Sequence, residues 1–141
     1  MKTRPAVKLT LEGARAILAA AEKKAADMGV PQCIAVVDEG GYLLAFARMD
    51  GAKLSSVQVA ITKAVSAAIR RTETGPSSSG GEISLTLSLG LPMATEGRIT
   101  PIRGGIPIVL EGEVVGGIGV SSGTEEQDVE VARAGLAALG K

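Results

Sequence analysis

Two pairs of short apolar segments, each pair joined by a glycine-bearing turn, limit the folds open to this chain more than any other feature. Cys33 to Val37 and Tyr42 to Ala47 flank Asp38-Glu39-Gly40-Gly41, while Ile106 to Leu110 and Val114 to Val120 flank Glu111-Gly112-Glu113. β-Branched residues favour extended backbone, and glycine takes the positive φ of a tight reversal without steric cost, so each pair predicts a β-hairpin. Hairpins join antiparallel strands, whereas parallel strands need long crossovers. The expected architecture is α/β of the α+β kind: a mainly antiparallel sheet with helices packed against it.

The helices are read from spacing. Leu11, Ala14, Leu18, Ala21, Ala25 and Met28 recur every three or four residues, with Thr10 as N-cap and Gly29 as stop. A second stripe, Val57, Ala60, Ile61, Ala64, Ala67 and Ala68, follows Ser55-Ser56-Val57-Gln58, which has the form of a capping box, and ends near Arg70-Arg71. The final helix carries Val129, Ala132, Leu136 and Leu139 behind a second capping box at Thr124 to Gln127. Gly75 to Gly81 has almost nothing to bury and reads as a loop. Ile83 to Leu91 alternates like a strand, yet its leucine-rich composition suits a short helix, which is the preferred reading. With 141 residues the chain is expected to form one domain, 1–141.

What is missing excludes whole classes of chemistry. There is no histidine, and the only cysteine is Cys33, so histidine-based triads, histidine zinc sites, imidazole ligation of haem iron and internal disulfides are all ruled out. Cys33 sits in an apolar run and reads as an inert buried thiol. Fifteen basic and fifteen acidic residues cancel, and only Tyr42 and Phe46 are available to stack on bases, so no nucleic-acid partner is expected. No stretch reaches the roughly 18 apolar residues that span a bilayer, so no membrane partner is expected and the localisation reads as cytoplasmic.

Five blocks in order then identify a resemblance: Val36-Val37-Asp38-Glu39-Gly40-Gly41-Tyr42-Leu43, Arg48-Met49-Asp50-Gly51-Ala52, Lys63-Ala64, Gly104-Gly105-Ile106-Pro107-Ile108, and Val115-Gly116-Gly117-Ile118-Gly119-Val120-Ser121. From about residue 10 onward the chain resembles the GlcG/HbpS-like family, which includes haem-binding members and the PduO C-terminal domain. The resemblance implies a profilin-like fold, self-association as a homo-oligomer, and a small-molecule pocket that in some members accepts haem or a related tetrapyrrole. If haem is the cofactor here, its iron has only oxygen or sulfur donors such as Tyr42, Met49 or Met93, or no protein ligand. The high apolar content of Ala-rich helices also favours an oligomer, because one thin core cannot hide every apolar face.

The candidate site residues each have a plainer reading. Arg103 before Gly104-Gly105 is suited to fork a carboxylate, with Arg98 nearby and Glu96 available for proton transfer; otherwise these are solvated charges. Arg48 leaves the first hairpin as a possible ligand contact or as an exposed turn neighbour. Lys63, at the edge of the small-residue face of its helix, is a candidate base or Schiff-base lysine, or a lysine that snorkels to water. Gly117-Ile118-Gly119 invites a dinucleotide reading, but the third glycine is misplaced and Glu125, Glu126 and Asp128 would repel phosphate. Free N–H groups near Ser121 and Ser122 leave room for a small anion. Two functions of different class therefore stay open: a binding protein for a flat cofactor, and a cofactor-independent lyase or isomerase of small organic acids using Arg, Glu and Lys. A subunit without ligand is the third.

Overall fold

Thr10 accepts a hydrogen bond from Gly13 N (3.0 Å) and so caps the first helix, α1 (Leu11–Met28), which ends at Gly29 with φ +71°. The computed structural model describes residues 1–140. It continues with β1 (Cys33–Asp38), β2 (Leu43–Arg48), α2 (Ser56–Arg70), the two-residue strands β3 (Ser78–Ser79) and β4 (Glu82–Ile83), α3 (Leu85–Ala94), β5 (Gly105–Leu110), β6 (Glu113–Ser121), α4 (Glu125–Leu136) and a closing 3-10 turn, Ala137–Leu139. The main sheet has the order β2-β1-β6-β5, and every neighbouring pair in it is antiparallel.

Strand alternation decides what each face buries. Cys33, Ala35 and Val37 of β1 point to α2 and pack with Ala60, Ala64, Val65 and Ala68. Ile34 and Val36 point the other way and join Ile108, Ile118 and Val120 under α1 and α4. The sheet is thus covered on both sides. In α1 the buried residues are Ala14, Ile17, Ala21 and Ala25, whereas Leu11 is exposed, so the stripe centres on Ile17.

Local expectations mostly hold, with two corrections. The stretch read as a loop, Gly75 to Gly81, contains β3, which pairs antiparallel with β4. The Thr124–Gln127 capping box forms in both directions. The one expected at Ser55 does not: Ser55 is already helical (φ −62°, ψ −23°) and makes no side-chain cap, while Gln58 donates to Thr62 Oγ1 at 3.2 Å. The preceding turn supplies the acceptors instead, because Ser56 N and Val57 N donate to the carbonyls of Lys53 and Leu54. In the first hairpin turn, Asp38 Oδ1 accepts from Gly40 N and Tyr42 N, both at 2.9 Å. The ambiguous leucine-rich stretch is helical from Leu85, capped by Ser84 on Leu87 N (3.1 Å).

Candidate functional site

Where β1 begins and β6 ends, one buried polar network links the two helical layers. Lys63 of α2 is 1% exposed, and its Nζ donates to Val120 O at 2.8 Å and to Asp128 Oδ2 at 3.0 Å. Asp128 of α4 is 2% exposed; its Oδ1 accepts from Gly123 N at 3.0 Å and from the amide nitrogen of Gln32 at 2.9 Å, which also donates to Ser121 O at 2.7 Å. A buried ion pair is tolerated only when its remaining lone pairs are satisfied, and no buried side-chain nitrogen or oxygen lacks a partner among the described residues. The helix-edge position of Lys63 therefore does not let it snorkel. The side chain runs inward, past Gly104, where a Cβ would stand 2.8 Å from Nζ and 2.7 Å from Val120 O.

The glycines of β6 have a related cause. A Cβ on Gly117 would lie 2.3 Å from Ala64 O, and one on Gly119 would lie 2.0 Å from Ala60 O. Helix α2 lies against β6 backbone to backbone, which accounts for Gly117-Ile118-Gly119 without any phosphate. Gly105 does the same under Lys63 O (2.3 Å), while its N–H donates to Thr74 Oγ1 at 2.9 Å.

The other candidates are dispersed. Arg48 is exposed at the end of β2, and Glu96 is exposed in the turn after α3 with φ +54°. Arg98 Nη2 donates to Gly40 O at 3.0 Å and so ties that turn to the first hairpin. Arg103 is half-buried, and its N–H points to Glu125 Oε2 at 3.3 Å. Ser121 is buried, with its carbonyl engaged by Gln32. Lys63 and Ser121 thus share one network beside Gly104 and Gly105, whereas Glu96, Arg48 and Arg98 stand apart from it. Cys33 is buried, and burial pushes its thiol pKa up.

Sequence reasoning missed Gln32 and the inward role of Asp128. The signal was present for Asp128: it falls three and four residues before Val131 and Ala132, on the buried face of α4.

Outside the core, α3 presents its apolar side chains to the exterior. Leu85, Leu87, Leu89 and Met93 are exposed, as are the flanking Ile83 and Ile102, and only Ser88 of the helix is buried. The reason is arithmetic: apolar residues at every second position are spread around a helix that turns 100° per residue, so no single stripe can be hidden. The helix is held instead by polar ties, with Ser88 Oγ accepting from Ser77 N (2.9 Å) and Arg70 Nη1 donating to Ser77 Oγ (3.0 Å). No helix among the described residues is long and apolar enough to cross a membrane.

A family model described as "Haem degrading protein HbpS-like" matches residues 9–137. The chain belongs to the HbpS-like family. Within it, the chain is similar to protein GlcG of Escherichia coli K12, at 36% identity over 86% of this chain and 85% of that one. Among solved structures it is similar to a PduOC:haem complex, with TM-score 0.82 and 29% identity over 95% of this chain and 96% of the other. It is also similar to a double mutant of HbpS from Streptomyces reticuli, with TM-score 0.84 and 31% identity over 99% and 92%. The expected α/β architecture with a mainly antiparallel sheet is the one these HbpS-like proteins share.

Proposed function

We propose that this chain is a small-ligand-binding protein that takes haem or a related flat tetrapyrrole against the apolar surface of α3, within a homo-oligomer. The observation that carries the reading is that surface: a helix whose apolar side chains face outward, on a fold whose relatives include a haem complex. An apolar macrocycle needs a broad apolar cover and cationic groups for its propionates. Leu85, Leu89 and Met93 would supply the first; Arg98 and Arg103, which follow α3 in the chain, would supply the second. The iron is less well served, because histidine is absent and the available donors are the Met93 sulfur, 82% exposed, and the Tyr42 hydroxyl, 72% exposed. Met49 is half-buried against the core and is the poorer candidate. A haem held by such oxygen or sulfur donors would supply an iron centre whose redox potential is set by the donor that holds it.

Titration with haemin, followed by absorbance, tests this. A saturable Soret band is expected, with its position altered in Met93→Ala and its affinity reduced in Arg98→Gln and Arg103→Gln. The absence of a saturable band, or a band indifferent to all three substitutions, would reject the assignment. Light scattering should give a mass above that of the 14.2 kDa chain, reduced by Leu89→Ser.

A further inference from the structure

A cleft lies at the opposite end of the sheet from Lys63, where both hairpin turns meet the C-terminal end of α2. Its volume is about 640 Å³, and the residues that give it character are Arg4, Val7, Ile69, Arg71, Glu113 and Val114. That size falls in the range of roughly 300 to 1,000 Å³ typical of small-molecule sites. None of Arg48, Lys63, Glu96, Arg98 and Arg103 lines it.

Its charges are unequally committed. Glu39, also on the wall, is ion-paired with Lys8, but neither Arg4 nor Arg71 forms an ion pair among the described residues. Arg4 and Arg71 therefore line the cleft together with the apolar Val7, Ala68, Ile69 and Val114. Arg71 also occupies the left-handed C-cap position of α2 at φ +61°, a conformation that glycine adopts freely and an arginine adopts at a cost. The cost lies in the backbone, and glycine at this position would remove it together with the guanidinium.

We infer that this cleft binds a small monocarboxylate with an apolar body, its carboxylate held by Arg4 and Arg71 and its tail on Val7, Ile69 and Val114. A guanidinium fork matches a carboxylate in shape and charge. A second carboxylate is disfavoured, because Glu113 and the partial negative charge at the end of α2 occupy the same cleft. The N-terminal segment is one wall of the site, and the Lys8–Glu39 pair fastens it to the first hairpin turn. The site is independent of the tetrapyrrole reading.

The experiment is an amide chemical-shift titration of the full chain with hexanoate. Saturable shifts are expected at Ile69 to Arg71 and at Glu113 to Val114, with adipate binding more weakly and hexylamine not at all. Arg4→Gln and Arg71→Gln should each weaken hexanoate by roughly tenfold, the size of a lost charge-assisted hydrogen bond. Arg71→Gly separates the ligand role from a structural one: it should lose affinity like the glutamine variant while melting no lower than the parent, since glycine relieves the cap. Non-saturating shifts, adipate or hexylamine binding as well as hexanoate, or Arg71 variants that bind as the parent does, would each overturn the assignment.

Discussion

Replacing Gly119 by alanine tests the claim that α2 and β6 touch through their backbones. Gly119 is not in the positive-φ region, so an alanine there meets no conformational penalty and any cost comes from space alone. The new Cβ would lie 2.0 Å from Ala60 O and 2.4 Å from Ala64 N. A carbon and a carbonyl oxygen settle near 3.3 Å, so α2 must retreat by about 1.3 Å. Gaps of even 0.5 to 1 Å forfeit roughly a quarter to a half of the dispersion energy across a contact. The contact at stake is the whole packing of Ala60, Ala64, Val65 and Ala68 on Cys33, Ala35 and Val37. Overpacking usually costs about 1 to 3 kcal/mol, and a clash with helix backbone, which has no rotamer to change, belongs at the upper end, about 3 kcal/mol. With a urea m-value of about 2 kcal/mol per molar, the midpoint should fall by roughly 1.5 M. Gly112→Ala is the control, since Gly112 has φ +78° and nothing within 4 Å, so it carries only the roughly 1 to 2 kcal/mol of left-handed strain. A Gly119→Ala midpoint no lower than that of Gly112→Ala would refute the backbone contact.

Two further outcomes follow from the ion pairs. Lys63→Met leaves the Asp128 carboxylate buried without its cation and should cost about 3 to 5 kcal/mol in urea unfolding. Adding Asp128→Asn, which keeps an acceptor for Gly123 N but removes the charge, should recover part of that loss; a double variant no more stable than the single one would contradict the pairing. At the surface, the Lys8 ammonium lowers the Glu39 pKa below its ordinary value of 4.5, so the stabilisation it brings is present above that value and is lost as pH falls through the lower, folded-state pKa. The backbone ¹⁵N order parameters of residues 4–9 should therefore fall selectively on acidification through that window. In Glu39→Gln they should already be low at neutral pH.

The hairpins, the capped ends of α1 and α4, and the antiparallel order were legible because each depends on residues close in sequence: Asp38 folds back on Gly40 and Tyr42, and Thr124 on Gln127. The Ser55 box failed although its cause is also local: the turn at Lys53 and Leu54 already supplies carbonyls to the first helical N–H groups, and the Ser-x-x-Gln spacing alone does not reveal that turn. Among the candidate residues, Lys63 was noticed for its place on the helix wheel, but its partner Asp128 is 65 residues away and on the other side of the sheet. The two arginines of the hairpin-end cleft come from the N-terminal segment and the end of α2 and are brought together only by folding.

By itself the sequence determined the types of the longer elements, the antiparallel pairing of the main sheet, the family and the chemistry excluded by a lack of histidine, since these follow from side-chain identity and local spacing. Tertiary structure alone decided that Gly117 and Gly119 of β6 serve a helix rather than an anion, that Lys63 turns inward to an aspartate, and that α3 is left bare. Those outcomes depend on distances of a few ångströms between segments far apart in the chain. Such distances are set by how whole layers pack, and no local pattern encodes them.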